Sequence, residues 1–411
     1  MGEILFLAHR MPFPPNRGDK IRSHHVLRCL AGIAPVHVAT FADDAADLAE
    51  EGELDKLAAS HCLVLRSKNL ALAGVEGLLR GKPVSLTAFH HPAIAVYVRK
   101  VLAERPIDTI YAFSGQMGQY IPDDFAGRVL FDFVDVDSAK FEAYAQSARA
   151  PRKWIDAREA RLLTAEEARL ARRSAVSLLV SNEEAALFRA RLNPEDRATC
   201  DIRALRNGID SRLFDRSLMR PAPAMLDRAG PRMIFTGQMD YAPNIAAAER
   251  AIERILPLVR EAFPDASFHV VGRNPPEQLL ARHGQNGAFV WGGVEDIREW
   301  LAAADLALVP LELARGIQNK VLEAMSMGLP VVLTPAAATG IGGIDAHHYA
   351  VADSDLALAE RAIALLSDHD HGWAMGLEAR RFVVEGMSWQ ATLAPLAAML
   401  GLGEAAARHA A

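Results

Sequence analysis

The stretch 305-DLALVPLELARGIQNKVLEAMSMGLPVVLT-334 decides the fold. It holds two continuous apolar runs, residues 305–310 and 331–334, which are typical of parallel strands covered by helices on both faces. Between them a helix is predicted to begin near Gln318. Gly328 can supply the left-handed residue that ends this helix, and Pro330 prevents it from resuming. The stretch therefore predicts a strand–loop–helix–strand unit of an α/β fold.

The predicted helix carries two charged residues that suit a nucleotide ligand. Lys320 and Glu323 are three residues apart, so they lie on nearly the same face of the helix. Ligands of open α/β sheets bind at the carboxyl ends of the strands, which is where the loop before this helix lies. Arg315, Lys320 and backbone amides could hold a diphosphate while Glu323 accepts from a ribose. The alternative is an ordinary ion pair on a solvated helix.

Composition and charge narrow the class of protein. At 411 residues, with 51% hydrophobic and 23% charged side chains, the chain is expected to form two globular domains. Acidic residues outnumber basic ones 51 to 45, so nucleic acid is not the expected partner. The three cysteines are widely spaced and indicate reduced thiols. With no leader-like or membrane-spanning pattern, a cytoplasmic location is expected.

The first strand, EILFLA at residues 3–8, leads through a proline-rich loop into a helix predicted from Asp19. Gly18 lies at this strand-to-helix junction, where the backbone can approach a phosphate or simply turn. Arg22 is one turn further and could reach the same crevice. Strands and helices then alternate, which predicts a mostly parallel sheet with right-handed crossovers. A GxGxxG motif is absent after the first strand, which argues against a dinucleotide-oxidoreductase site.

Three carboxylates cluster in the stretch 131-FDFVDVDSAKFEAY-144, at the end of a predicted strand. Asp132 and Asp135 stand where a catalytic base or a sugar-hydroxyl acceptor would be. Asp135 and Asp137 also form a DVD pattern, which is a weak metal-site signal, and Asp137 or Ser138 could instead cap a helix. The chain also has three pairs of adjacent histidines, at residues 24–25, 90–91 and 347–348. Each pair lacks a carboxylate at ligand spacing, so no metal site is expected from them either.

The helical segment 149–173 is dense in charge and has more basic than acidic residues. Apolar residues such as Trp154 and Ile155 make it amphipathic. Such a helix could contact an anionic membrane surface, or it could be a solvated helix that covers the sheet.

The sequence predicts a second βα domain after the alanine- and proline-rich stretch 220–231. Its first strand ends at Gly237, and later strands are again followed by glycines. We therefore expect an N-terminal domain over residues 1–210, a C-terminal domain over residues 211–385, and a final helix over residues 386–411 that can pack on the N-terminal domain. A cleft between two such domains would be a favoured place for a ligand.

These patterns together resemble the retaining group-one glycosyltransferases of the GT-B architecture, which have two facing Rossmann-like domains. The motifs that carry the resemblance are PPNRGDKIRSHH, RNGID, FTGQMDYAPN, VGRNP and, most specifically, GIQNKVLEAMSMGLPVV. Within that family the chain looks most like the sugar transferases that accompany exosortase-linked exopolysaccharide loci.

The resemblance implies transfer of a sugar from a nucleotide-sugar donor to an exopolysaccharide or lipid-linked glycan acceptor, without a metal or other cofactor. The nucleotide would bind the C-terminal domain and the acceptor the N-terminal one. Peripheral contact with the inner face of a membrane is compatible with such an acceptor.

The resemblance also assigns residues. Glu323 matches the second glutamate of the family's Glu-x7-Glu pattern, Gly316 stands in place of the first, and Asn319-Lys320 match a variant of it. Gln238 replaces a common arginine and Val134 a common histidine. The catalytic candidates are Asp132, Asp135 and Lys320. The donor-binding candidates are Gly18, Arg22, Gly237, Arg273, Arg315, Gly316, Asn319, Lys320 and Glu323.

Two other functions fit the same fold. A nucleotide-sugar epimerase would need carboxylates and a histidine near the sugar C2. A catalytically inactive nucleotide-sugar-binding protein would be consistent with Gly316, Gln238 and Val134.

Overall fold

The computed structural model describes residues 2–147, 149–314 and 316–401. The chain divides into two compact units: an N-terminal unit of residues 1–207 together with residues 392–411, and a C-terminal unit of residues 208–391. Each unit has its own buried apolar core. Among the described residues, no helix is long and apolar enough to cross a membrane.

The N-terminal unit is built on a seven-stranded parallel sheet with the order β3-β2-β1-β4-β5-β6-β7. Its strands are β1 (Glu3–Ala8), β2 (Val36–Ala42), β3 (Ser60–Leu65), β4 (Ile107–Phe113), β5 (Arg128–Val134), β6 (Val176–Leu179) and β7 (Ile202–Ala204). Most of the strand residues are buried, as the continuous apolar runs predict.

Helices connect these strands. They are α1 (Gly18–Ala31), α2 (Ala45–Ala49), α3 (Glu51–Asp55), α4 (Leu70–Leu79), α5 (Val84–Ala88), α6 (Pro92–Glu104), α7 (Asp137–Ser147), α8 (Arg152–Arg173), α9 (Asn182–Arg191) and α10 (Pro194–Thr199), with a 3-10 turn at Gly115–Tyr120.

The C-terminal unit has a six-stranded parallel sheet with the order β10-β9-β8-β11-β12-β13. Its strands are β8 (Arg232–Thr236), β9 (Ser267–Val271), β10 (Ala288–Gly292), β11 (Leu306–Val309), β12 (Val331–Leu333) and β13 (Ala350–Val351). The expectation of an α/β fold with two Rossmann-like domains is confirmed.

The helices of this unit are α11 (Pro223–Leu226), α12 (Ala242–Arg250), α13 (Leu256–Ala262), α14 (Glu277–Leu280), α15 (Ile297–Ala303), α16 (Asn319–Ser326), α17 (Pro335–Ala338), α18 (Asp355–Ser367) and α19 (His369–Gly386). A π-helical turn, Ala251–Ile255, joins α12 to α13, and a 3-10 turn lies at Arg216–Leu218. Helix α20 (Trp389–Leu393) passes from this unit to the other, where α21 (Leu396–Met399) follows.

The decisive stretch folds as its pattern predicts. Helix α16 has Gln318 as its N-cap residue, and Gly328 has a φ of +71°, the left-handed conformation that closes the helix.

The final helix predicted over residues 386–411 is not continuous in the described part: α20 and α21 are separate short helices, and residues 402–411 lie outside the described residues. Helix α19 ends at Gly386, because the next residues pair with the start of the C-terminal unit: the Ile209 amide donates to the Met387 carbonyl at 2.8 Å, and the Trp389 amide donates to the Ile209 carbonyl at 3.1 Å. A continued helix could not make these bonds.

Candidate functional site

The strand order of the C-terminal unit reverses between β8 and β11, since the chain runs outward from β8 on both sides. The crevice at the carboxyl ends of two such strands is the general ligand position in open α/β sheets. The loops after β8, β9 and β11 form this end of the sheet. Gly237, Arg273 and the segment leading into α16 all lie there.

Two glycines bring the loops after β8 and β9 into direct backbone contact. A Cβ atom on Gly272 would lie 1.5 Å from the carbonyl oxygen of Gly237, which excludes any side chain at that position. The Gly237 amide donates to the Val271 carbonyl at 3.1 Å, and the Gly272 amide donates to the Gly292 carbonyl at 2.8 Å. The glycines thus keep the backbone of neighbouring loops close together at this edge.

Lys320 reaches from α16 to the end of β8. Its Nζ donates to Asn244 Oδ1 at 2.5 Å and lies 4.5 Å from the centre of the Phe235 ring. A Cβ on Gly237 would stand 3.0 Å from the same Nζ, so this glycine leaves the ammonium room. Burial lowers the pKa of Lys320 to about 8, although the Glu323 charge opposes this shift. The ammonium is therefore fixed at the reversal point.

Asn244 is a member of this site that the sequence interpretation missed. It is buried, and its Nδ2 donates to the Gln238 carbonyl at 2.9 Å while its Oδ1 accepts from Lys320. Its position in the motif FTGQMDYAPN could have identified it, because this motif joins the end of β8 to the first turn of α12.

Glu323 lies one turn along α16 and keeps a partly exposed side chain. Within the described part of the chain, its carboxyl has neither a hydrogen-bond donor nor an ion-pair partner. Burial raises its pKa to about 7, against the opposing effect of Lys320. A desolvated carboxyl without a partner can accept from a ligand hydroxyl, and the alternative of an ordinary ion pair with Lys320 is not what the contacts show.

The loop before α16 is open to solvent. Gly316 is exposed with a φ of +65°, and no heavy atom of the described residues lies within 4 Å of a Cβ placed on it. Asn319 is exposed at the first turn of α16, where amides without intrahelical partners can donate to an anion. Arg315, the remaining predicted donor-binding residue of this loop, lies outside the described residues.

Arg273 provides a second cation at this edge of the sheet. Its side chain is exposed in the loop after β9, and its carbonyl accepts from the Met239 amide at 2.8 Å, which joins this loop to the one after β8. Asn274 Nδ2 donates to Asp240 at 2.9 Å and adds a second link. Gln238 is exposed and offers no charge.

The N-terminal unit also reverses its strand order, between β1 and β4. Gly18 is exposed at the first turn of α1, and the space around it is open, with no described heavy atom within 4 Å of a Cβ position. A ligand phosphate would find room there, and that role stays a prediction.

The structure gives Arg22 and Asp132 a different setting from the predicted one. They form a buried two-pronged ion pair, with Nε to Oδ2 at 2.9 Å and Nη2 to Oδ1 at 3.1 Å. Arg22 also donates to the Leu205 carbonyl and to Asn207, and Tyr111 donates to Asp132 at 2.8 Å. Both side chains are essentially inaccessible, and the contacts that the structure shows for them are structural. The donor-binding role of Arg22 and the catalytic role of Asp132 stay predictions.

Asp135 is the most exposed carboxylate of the predicted cluster. It is partly exposed and forms an ion pair with Lys140 at 2.8 Å, and Lys140 also approaches Asp137 at 3.3 Å. Helix α7 begins at Asp137, close to the predicted cap. A catalytic role for Asp135 stays a prediction.

A further residue, His9, lies directly after β1 at the reversal point of the N-terminal unit. It is buried and stacks on Phe113 at the end of β4, and its Nδ1 has no hydrogen-bond partner among the described residues. Its Nε2 lies 3.6 Å from Asp19. Burial lowers the pKa of His9, so the ring is neutral near pH 7. The only sequence signal was a histidine after the first strand.

Within the described ranges, no cluster of three or more histidine, cysteine, aspartate or glutamate side chains could hold a metal ion.

Part of the chain matches a known protein family. Residues 230–368, which include β8, β11, α16 and β12, match the family described as glycosyl transferases group 1. No curated protein matches the chain in sequence.

Several solved structures share the fold over almost the whole chain. HepE from Anabaena, solved in complex with UDP-glucose, is 16% identical, with coverage of 98% of this chain and 100% of that one and a TM-score of 0.58. Sucrose-phosphate synthase from Thermosynechococcus elongatus is 16% identical, with 97% and 98% covered and a TM-score of 0.59. WaaG, a glycosyltransferase involved in lipopolysaccharide biosynthesis, is 18% identical, with 97% and 100% covered and a TM-score of 0.56.

The chain therefore has the two-domain GT-B fold of these solved structures, and its C-terminal unit carries, over residues 230–368, a sequence of the group 1 glycosyl transferase type.

Proposed function

We propose that the protein is a retaining glycosyltransferase that moves a sugar from a nucleotide-sugar donor to a glycan acceptor. The observation that carries this proposal is the position of Lys320 and Glu323: a fixed ammonium and an unpartnered carboxyl stand together at the strand reversal of the unit that matches the family. The solved complex of HepE with UDP-glucose supports a nucleotide sugar as the donor class.

Each group at this edge has a defined task in the proposal. Lys320, Arg273, Arg315 and the first amides of α16 bind the diphosphate, since fixed cations and helix amides attract oxyanions. Glu323 accepts hydrogen bonds from the ribose hydroxyls. Gly237 leaves space for the diphosphate beside Lys320, because a side chain there would meet the ammonium.

The reaction breaks the bond between the anomeric carbon and the phosphate oxygen, and the electron pair stays on that oxygen. Lys320 stabilises the resulting charge on the leaving nucleoside diphosphate, as preorganised cations do in other sites. The acceptor hydroxyl forms the new bond on the same face of the sugar, and its proton passes to the leaving phosphate. No enzyme nucleophile takes part, and Asp135 remains a candidate for orienting the acceptor.

We further propose that the reaction needs no metal or other cofactor, because the cations of the chain suffice to neutralise the diphosphate. The acceptor is proposed to be a growing exopolysaccharide or its lipid-linked precursor, on the strength of the sequence resemblance alone. A cytoplasmic site of action agrees with the free thiols of Cys29, Cys62 and Cys200.

A second candidate, a nucleotide-sugar-binding protein without turnover, is favoured by one observation. Gly316 has no side chain where the resemblance places an acidic residue near the donor sugar, and described residues leave the space beside it empty.

Incubation of the purified protein with a panel of nucleotide sugars, beginning with UDP-glucose, distinguishes these functions. Slow release of free nucleoside diphosphate, abolished in Lys320→Ala and retained in Lys82→Ala, is the expected result. Interconversion of donors would indicate an epimerase, and binding without release would indicate a non-catalytic protein. Either outcome overturns the proposed transfer.

A further inference from the structure

Helix α4 of the N-terminal unit exposes its large side chains and buries its small ones. Leu72, Val75 and Leu79 share one face of the helix, and Leu79 is 83% exposed. The packed side consists of Ala73 and Gly77, both buried. A helix that only covers a sheet shows the opposite arrangement, so this apolar face is available for a partner.

Side chains of the second turn of α8 bind the backbone at the end of α4 and at the start of α5. Arg158 Nη2 donates to the Gly77 carbonyl at 2.8 Å, and Glu159 accepts from the Val84 and Ser85 amides at 2.8 and 2.9 Å. Trp154 and Ile155 precede these two residues by one helical turn on the same faces, and Trp154 is 70% exposed. Trp154 and Ile155 therefore stand one helical turn from the residues of α8 that bind the α4–α5 segment.

We call these side chains the docking surface. It consists of Leu72, Val75, Leu78, Leu79, Trp154 and Ile155, all more than half exposed. The rest of α8 is different: Ala160, Leu163 and Leu170 are buried, and the helix packs on α7. The predicted membrane contact of the whole basic helix 149–173 therefore narrows to its first turn, and α4 supplies the larger part of the surface.

Positive charge is concentrated in the two segments that carry the docking surface. Residues 68–82 and 149–158 hold seven lysines and arginines and only two acidic residues, in a chain whose net charge is −6. The two acidic residues are already paired: Glu76 with Lys68 at 2.8 Å and with Arg80 at 2.9 Å, and Asp156 with Arg152 at 3.4 Å. Lys82, Arg149 and Lys153 are left for an outside anion, and all three are exposed.

We propose that the docking surface binds the N-terminal unit to an anionic lipid bilayer. The docking surface combines exposed apolar side chains with arginine and lysine side chains from the same two segments. The apolar side chains suit the acyl chains of a membrane interface, and the cations suit its negative headgroups. A symmetric contact with a second copy would place these positive side chains against one another, so charge favours an anionic bilayer over such a dimer. Binding should combine burial of apolar area with attraction to anionic headgroups, so salt should weaken it without abolishing it.

Vesicle co-sedimentation of the full chain tests this proposal. Vesicles of phosphatidylglycerol mixed with phosphatidylcholine should bind the protein, and vesicles of phosphatidylcholine alone should bind it at least about tenfold more weakly. The variant Leu79→Ser/Trp154→Ser should reduce binding to the anionic vesicles by about tenfold or more, because it removes two of the most exposed apolar side chains. The variant Arg80→Glu/Lys82→Glu should remove the preference for anionic vesicles.

The matched control is Leu356→Ser/Trp373→Ser, which changes another leucine–tryptophan pair, each 58% exposed, on α18 and α19 of the C-terminal unit. It should bind vesicles like the unaltered protein. Circular dichroism checks that all variants keep the fold. Equal binding to neutral and anionic vesicles, equal loss in the control, no vesicle binding at all, or self-association that the Leu79→Ser/Trp154→Ser variant abolishes would each overturn the proposal. None of these results depends on donor turnover.

Discussion

Lys320 and Glu323 have pKa values displaced in opposite directions by the same cause. Burial disfavours the charged form of each group, so the pKa of the acid rises to about 7 and that of the base falls to about 8. Charges held in such surroundings are unfavourable without a partner. A nucleoside diphosphate supplies an anionic partner for the ammonium and ribose hydroxyl donors for the carboxyl at once.

The first prediction is a pH window for nucleotide binding. Below pH 7 Glu323 takes up a proton and becomes a poorer acceptor for the ribose, and above pH 8 Lys320 loses its charge and its hold on the phosphates. Affinity for a nucleoside diphosphate should therefore be highest between about pH 7 and 8 and fall by up to about tenfold per unit outside this range. Calorimetry from pH 5.5 to 9.5 measures the profile.

The variants Glu323→Gln and Lys320→Met supply the comparison for that profile. Glu323→Gln should show a smaller fall in affinity below pH 7, and Lys320→Met should lose the fall above pH 8. The titration of the ligand phosphate near pH 6 affects all three proteins alike. A profile that both variants share with the unaltered chain would contradict the assignment.

Arg22 leads to the second prediction, which concerns stability. Arg22→Leu removes the cation from the buried Asp132 and should lower the free energy of unfolding by about 3–5 kcal/mol, because a buried carboxylate is left without its partner. Urea denaturation measures the loss. Arg28→Leu, an exposed position on the same helix, should change it by less than about 1 kcal/mol.

Nucleotide affinity decides between the two roles considered for Arg22. If the residue is structural, folded Arg22→Leu protein at low temperature should bind a nucleoside diphosphate about as tightly as the unaltered chain. Loss of binding with little loss of stability would restore the donor-binding role.

Between elements, backbone contacts rather than side chains set the geometry of the donor edge. The loops after β8 and β9 approach so closely that Gly272 meets the Gly237 carbonyl, and the Met239 amide is bonded to the Arg273 carbonyl. The positions of Lys320, Asn244 and Arg273 depend on this contact, since the first two meet the end of β8 and the third follows β9.

The third prediction follows from this contact. Gly272→Ala places a methyl group on the Gly237 carbonyl, so the loops must separate, and the free energy of unfolding should fall by about 2 kcal/mol or more. Nucleotide affinity should fall with it. Gly52→Ala is the control: it lies in α3 with open space around it and should leave both quantities unchanged or slightly raise stability. Calorimetry and urea denaturation measure the two effects, and an unaffected Gly272→Ala protein would contradict the argument.

The sequence predicted elements well where local signals were complete. Continuous apolar strands and the Gly328–Pro330 stop signal fixed the β11–α16–β12 unit, and the spacing of Lys320 and Glu323 identified their common face. Short strands such as β7 and β13 were not predicted, because two or three residues are too few to show a hydrophobic periodicity. The buried ion pair of Arg22 with Asp132 and the bond of Asn244 to Lys320 were not foreseen for another reason: the partners are more than 70 residues apart, and no local pattern reports such contacts.

On the scale of the whole molecule, the chain passes from one compact unit to the other twice. It leaves the N-terminal unit after Asn207 and returns through α20, so that α21 lies in the N-terminal unit. Arg128 Nε donates to the Met399 carbonyl at 2.6 Å, and Leu393, Leu396 and Met399 are buried. The last described residues of the chain thus support the first half of it.

The fourth prediction tests this support. Leu396→Ala removes a fully buried side chain and should destabilise the N-terminal unit by about 2–4 kcal/mol, although the substitution lies almost 200 residues after that unit's main segment ends. Hydrogen exchange should become faster in β5 and stay unchanged in β11, because the C-terminal unit keeps its own core. Leu377→Ala, at a half-exposed position of α19, should leave β5 protected. Equal acceleration in both sheets would mean that the two units unfold as one, and no acceleration in β5 would mean that α21 contributes nothing to the unit that contains it.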